Sequence, residues 1–289
     1  MFYETFRPET FKQMVGRDKE ISTVLKHINS VDGMCHYLLS GQQGTGKTTF
    51  AFATAREALK EDYKGNFFEF NGSDIGVEMV RKEIVEIAKR RPFEAKYKII
   101  LIDEADKITP DAQGAFRRVL EKYEKNTKFI FTANYPNKLI PPLVSRFIHF
   151  RFEKIGTKDI AMYLKRCIKK MSLDNGRFVK VVKTDKELVT IAKMSNGDLR
   201  MAFGILEGET PLDTTVLSLS IAKISKMTTD EKVNLAFKTD AELLFNILWE
   251  MVQKEKDWKK LKPMADCSVN MNSALHKTLF IANLLESHF

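Results

Sequence analysis

Gly41-Gln42-Gln43-Gly44-Thr45-Gly46-Lys47-Thr48 fills every fixed position of the phosphate-loop pattern G-x-x-x-x-G-K-[ST]. Glycines let the backbone fold so that its N–H groups face phosphate oxygens, at a helix N-terminus whose dipole favours negative charge. Lys47 then neutralises the β and γ phosphates, and the Thr48 hydroxyl is placed for Mg²⁺. A chance match is removed by the flanks. Tyr37-Leu38-Leu39-Ser40 before the loop reads as a strand, and residues 49–60 after it as a helix.

The pattern repeats outward from there. Strands are predicted at 66–70, 98–103, 129–133 and 150–152, and helices at 77–90 and 112–123. The run Ile99-Ile100-Leu101-Ile102 implies a strand buried on both faces. On the helix at 77–90, Val80, Ile84, Ile87 and Ala88 share one apolar face. Alternation of strand and helix predicts an α/β fold with a parallel five-stranded sheet covered by helices. After residue 155 the strand signals fade and 158–171, 185–194 and 198–206 read as helices. The expected domains are 1–155 for nucleotide binding, 156–209 for a helical lid and 212–289 for a helical collar, with Glu207-Gly208-Glu209-Thr210-Pro211 as the linker. In the collar Leu243, Leu244, Ile247 and Leu248, then Leu275, Leu279, Ile281 and Leu284, are expected to pack in a core or between subunits.

A second half of the site follows. Asp103-Glu104 puts two carboxylates at the end of the buried strand, where ligands of open parallel sheets collect. Asp103 is expected to hold Mg²⁺ through water, and Glu104 to act as the general base on the attacking water. An adjacent Asp-Glu pair separates a hydrolytic motor from a phosphate transferase, whose substrate is its own nucleophile. Asn134 ends the next strand, within reach of the γ phosphate and that water.

Bulk properties bound the rest. Lys plus Arg number 47 against 38 for Asp plus Glu, a net charge of +9. That excess fits nucleic acid as a partner, and it equally fits ordinary solubility charge. Cys35, Cys167 and Cys267 are odd in number, with no zinc-site spacing, so a reduced compartment is expected. No run of eighteen apolar residues predicts a transmembrane helix. Met1-Phe2-Tyr3-Glu4 does not resemble a secretory signal, so an intracellular location is expected: cytoplasm or nucleoid, or nucleus in a eukaryote.

The ordered set of motifs resembles the small subunits of replication factor C, AAA+ clamp-loader ATPases of archaea and eukaryotes, over residues 2–210. Phe6-Arg7-Pro8-Glu9-Thr10-Phe11 with Val15-Gly16 is similar to the family's N-terminal box, and Asn71-Gly72-Ser73-Asp74 with Val80-Arg81 to a box nearly private to it. Ile102-Asp103-Glu104-Ala105-Asp106, Ala112-Gln113 and Arg117-Arg118 through Glu121-Lys122-Tyr123 continue the likeness. Asn134-Tyr135 stands at sensor 1, Ser145-Arg146 at the arginine finger, and Gly197-Asp198-Leu199-Arg200 at sensor 2.

The resemblance implies roles. Tyr3, Arg7, Pro8, Val15 and Gly16 would wrap the nucleotide with the loop from Gly41 to Thr49, and Arg200 would contact its phosphates. Arg146 would reach into a neighbouring subunit's site. Such fingers are worth about 10³–10⁵ in rate. Ser73, Arg81 and Arg117 match positions that track the DNA backbone, and Ile84, Ile87, Ala88, Pro92 and Phe93 match those that touch the clamp. The implied partners are a sliding clamp, primer-template DNA and further loader subunits; the implied cofactors are ATP and Mg²⁺. The chain departs from the family at Gln42-Gln43, where two prolines are usual, and at Phe147, where Ser-Arg-Cys is usual. Two other readings stand beside this one. One is a different AAA+ DNA motor, such as a Holliday-junction branch-migration helicase; the other is a scaffold subunit that binds ATP without hydrolysing it.

Overall fold

The computed structural model describes residues 2–31, 33–173, 184–208, 224, 226–238, 244–245, 248, 281–282 and 285. Five strands form one sheet: β1 (Tyr37–Gly41), β2 (Phe67–Asn71), β3 (Lys98–Asp103), β4 (Thr127–Ala133) and β5 (Ile148–Phe152). Their order is β2-β3-β4-β1-β5, and every pairing is parallel. The expected five-stranded parallel sheet is the one found. Its centre is β4 with β3 and β1 beside it. Register places Leu38 opposite Phe131, and Leu101 opposite Ile130.

Period-two alternation explains why these strands must be covered on both sides. Leu38, Ile100, Ile102, Phe129 and Phe131 face one core, and Tyr37, Leu39, Ile99, Leu101 and Ile130 the other. The second core is closed by α1 (Asp18–Ile28) through Val24 and by α2 (Lys47–Leu59) through Phe50 and Ala51. Helix α1 was not anticipated, although Ile21, Val24, Leu25 and Ile28 fall at helical spacing.

The first core is closed by α3 (77–89) and α4 (Pro110–Tyr123). The middle of α3, Val80–Ile84, is wound as a π-helix, a form that is rare and usually confined to a single turn. Val80, Ile84 and Ala88 are each wholly buried against the sheet.

Beyond β5 come α5 (Thr157–Leu173), α6 (Asp185–Met194) and α7 (Leu199–Glu207). Helix α6 starts on a reciprocal cap, Thr184 and Glu187 each bonding the other's backbone N–H. The Asp198 carboxylate caps α7 by accepting from the N–H groups of Arg200 and Met201. These helices and the sheet domain form one compact unit, Met1–Glu209; Thr210–Phe289 forms a second. Of that second unit, α8 (Thr229–Lys238) is described, together with Ile224, Leu244, Leu248, Ile281, Ala282 and Leu285, all six buried. The predicted linker after Gly208, and Leu243, Ile247, Leu275, Leu279, Leu284 and Cys267, lie outside the described residues. No helix among the described residues is long and apolar enough to cross a membrane.

Candidate functional site

Strand β1 ends at Gly41 and α2 starts at Lys47, so the phosphate loop is the connection at the sheet's carboxyl edge. Two glycines are required there for different reasons. Gly46 has φ +88, a conformation side chains resist, although a Cβ there would meet only Met14 Cε, at an ordinary 3.9 Å. Gly44 has φ +73, and a Cβ on it would come within 1.9 Å of Asp198 Oδ1. The start of α7 therefore sits directly on the loop, and the Leu199 N–H donates to the Gly44 carbonyl at 3.3 Å.

Lys47 is only 7% exposed. Its ammonium donates to the carbonyls of Gly41 and Gln42 and to Asn134 Oδ1, each at 2.8 Å. Burial pushes its pKa down to about 8, against the opposing pull of Asp103, Asp106 and Asp198. A buried cation held by three neutral oxygens, with carboxylates nearby, is a site prepared for an anionic ligand.

The acidic wall is tied together across strands. Thr48 Oγ1 donates to Asp103 Oδ1 at 2.9 Å, and Thr132 Oγ1 on β4 donates to the same oxygen. The Glu104 N–H donates to Thr132 Oγ1 at 3.0 Å. That bond holds Glu104 in the left-handed region, φ +54, where a non-glycine residue is strained by about 1–3 kcal/mol. Its carboxylate lies 2.5 Å from Lys107 Nζ. The Asn134 N–H donates to Asp106 Oδ1 at 3.1 Å, which fixes the residue whose amide meets Lys47.

The other end of the cleft is lined by Tyr3, Phe6, Arg7, Pro8, Met14 and Val15. Arg7 Nε donates to Thr49 Oγ1 at 3.2 Å, while its guanidinium lies 4.7 Å from the Phe52 ring centroid. Arg200 lines the cleft with its guanidinium 5.3 Å from the Tyr3 ring centroid. Gln43, Gly44, Thr45 and Gly46 complete the lining beside Lys47, Thr48 and Thr49. Gly41 and Gln42 enter through their carbonyls on Lys47, and Gly16 forms a turn at φ +65 next to Asp159.

Arg17, Thr132, Asp106 and Asp198 were not anticipated here. Arg17 is buried, donates to the Thr45 and Glu153 carbonyls, and lies 4.7 Å from the Phe152 ring centroid, locking the loop to the end of β5. Gln113 acts at longer range. It donates to the carbonyls of Ile108 and Lys138 and accepts from the Ile140 N–H, joining α4 to the segment after Asn134.

Other expected residues lie elsewhere. Arg146 is not part of this cleft; it follows a helical turn at Pro141–Val144 and pairs with Glu121 on α4. Phe147, at the position where the resemblance leads one to expect cysteine, is buried with its ring 4.7 Å from that of Phe131. Arg81 and Arg117 line one groove between α3 and α4 with Arg118, and Ser73 is absent from it. Ser73 lies on the turn Gly72–Asp74, its N–H and Oγ both donating to Asn71 Oδ1. Two of the five expected clamp-contact residues cannot make such a contact. Ile84 and Ala88 are 0% exposed core residues and present no surface to a partner. Ile87 and Pro92 are half-buried, and Phe93 is 67% exposed.

Residues 37–154 match the family model of the ATPases associated with various cellular activities (AAA). Over 262 residues the chain is 34% identical to the replication factor C small subunit of Methanococcus maripaludis strain C7, covering 86% of this chain and 80% of that one. The Archaeoglobus fulgidus replication factor C small subunit is 34% identical over 241 residues, 83% of this chain and 73% of that one. Among solved structures, the Thermotoga maritima Holliday junction branch migration motor RuvB superposes with a TM-score of 0.58 at 17% identity, over 86% of this chain and 72% of that one. That last likeness is one of fold.

Proposed function

The chain belongs to the replication factor C small-subunit family of AAA ATPases, and from that premise we propose that it is one subunit of a loader that opens a sliding clamp and places it on primer-template DNA. The carrying observation is the division of the catalytic set. Lys47, Asp103, Glu104 and Asn134 meet in one cleft, while Arg146 lies on another face of the same chain. A site of that kind is completed by a neighbour, so hydrolysis follows assembly.

In this reading Lys47 neutralises the terminal phosphates of ATP, with the loop N–H groups around them. Thr48 and Asp103 offer hard oxygens already in contact at 2.9 Å, the donor type that Mg²⁺ takes. When bound, that ion supplies charge neutralisation on the phosphate oxygens. Glu104, turned from Lys107, accepts a proton from the attacking water, and Asn134 orders that water. Arg200 and Asp198 stand at the start of α7, so nucleotide contact with Arg200 moves a helix seated on the loop. The lid of 156–209 thereby senses ATP.

The partner surfaces are part of the proposal. Arg81, Arg117 and the exposed Ser73 turn would meet DNA phosphates, which convey position and not sequence. Ile87, Pro92 and above all Phe93 would meet the clamp. Residues 212–289 would hold subunits together as a collar, and the work would be done where DNA is replicated inside the cell. Binding of each ligand shifts the chain only by its differential affinity for the two states.

The test is steady-state ATP hydrolysis by the full chain over a range of concentrations, with and without a primed DNA oligonucleotide and the cognate clamp. The expected rate climbs with protein concentration and rises further with both ligands. A rate flat in all three, also after addition of partner subunits, would remove the loader reading.

A further inference from the structure

The guanidinium of Arg146 is gripped on one edge. Its Nε donates to Glu121 Oε1 at 2.9 Å, and Nη2 donates to the same oxygen. On the other side Nη1 donates to the Pro142 carbonyl of the preceding turn, with Ser145 Oγ farther off at 3.4 Å. A guanidinium has five N–H donors in a rigid fork. With Nε and Nη2 on Glu121 and Nη1 on Pro142, one Nη2 proton and the loosely held Nη1 proton near Ser145 are left for an incoming oxyanion.

The holder is itself fixed. Glu121 sits on α4, and Arg117 one turn earlier brings its Nε to 3.8 Å from the same carboxylate oxygen. The hydrogen bond from Arg146, with Arg117 nearby, keeps the Glu121 carboxyl below the usual carboxylate range, so it stays ionised at neutral pH. Side-chain exposure is 25% for Arg146 and 50% for Glu121. A pair so open to water adds little to stability. Its consequence is orientation of a long side chain that has no other carboxylate in contact among the described residues.

We propose that Glu121 is the positioning residue for Arg146, presenting the finger's free edge to the nucleotide of a neighbouring subunit. This rests on the reading of Arg146 as acting in trans, and the test separates the two. A Lys47→Ala chain, with a dead site and an intact finger, is mixed with an Arg146→Ala chain, with an intact site and no finger. Recovery of hydrolysis in the mixture establishes the trans finger. Glu121→Ala is then added to one partner at a time.

Placed on the Lys47→Ala chain, which donates the finger, it is expected to lower kcat about tenfold with KM for ATP unchanged, the effect of misplacing a group by a fraction of an ångström to an ångström. Placed on the Arg146→Ala chain it is expected to do nothing. Glu121→Gln on the finger donor, which keeps an acceptor, is expected to restore part of the rate. Equal loss in both placements, or loss in neither, overturns the proposal, because a merely structural Glu121 cannot know which site is hydrolysing. Absence of any recovery with unsubstituted Glu121 overturns the trans finger itself, and the proposal with it.

Discussion

The phosphate cleft and the face that carries Arg146, Arg117 and Arg81 are both built around cations, yet they treat them in opposite ways. In the cleft Lys47 is buried, and its three hydrogen bonds run to the loop and to β4. On the outer face Arg146 and Arg117 share one half-exposed carboxylate. Burial fixes a group but costs desolvation, which the chain must offset internally. Exposure costs nothing and leaves the group available to another molecule. The cleft is thus organised by this chain alone, while the outer face, in the proposed assembly, becomes functional against a partner.

The sharpest way to break that comparison is Glu104→Gln. In the proposed mechanism Glu104 is the general base, and removing one costs on the order of 10²–10⁴ in rate. The loss is expected at every protein concentration, with ATP binding intact, because Glu104 works inside its own cleft. A loss seen only in concentrated, assembled protein would place Glu104 with the outer face. Steady-state hydrolysis and nucleotide titration of the same samples decide it.

A middle-sized effect comes from pH. The Lys47 ammonium has a pKa lowered to about 8 in the free protein. As pH rises through that value the folded chain loses a proton that the unfolded chain keeps until about 10.4. Between those values the unfolded state binds more protons, so this group's contribution to stability rises with pH. Phosphate affinity moves the other way, since the neutral amine no longer attracts it. ATP binding is expected to weaken about fifteenfold between pH 8 and pH 9.5, read by titration with a fluorescent nucleotide, from the fraction of ammonium left. An affinity flat over that range would mean Lys47 is not the buried, desolvated cation described here.

How much of this was written in the sequence differs in the same way between the two regions. The strands were legible because four consecutive apolar residues such as Ile99 to Ile102 admit no exposed face, and the phosphate loop because its fixed residues are adjacent. Thr132, Asp106 and Arg17 were not legible. Each acts on a backbone or carboxylate 28 or more residues away, and nothing local marks which Thr or Asp will do so. Helix α1 has a readable apolar stripe but no start signal, since its N-cap residue, Arg17, supplies no side-chain cap bond. Ile84 and Ala88 show the reverse error. Their periodicity already placed them on an apolar face, and family likeness alone moved them outward to the clamp. Packing against the sheet is what the buried structure confirms.

Glu104 stands on the border between the two regions, and the smallest expected effect lies there. Its backbone belongs to the cleft through Thr132, but its carboxylate reaches Lys107 in a pair whose side chains are 36% and 53% exposed. The hydrogen bond to Glu104 raises the Lys107 pKa, so the ammonium keeps its charge throughout the neutral range. Exposed pairs of this kind add little to stability. Lys107→Ala is therefore expected to leave thermal stability nearly unchanged. It frees the Glu104 carboxylate to turn toward water, which is expected to raise the unstimulated hydrolysis rate by about threefold at low salt. The gain should vanish in high salt, where the parent pair is screened as well. A tenfold fall would instead show that Lys107 takes part in the chemistry, and the border of the cleft would have to be drawn one turn farther out.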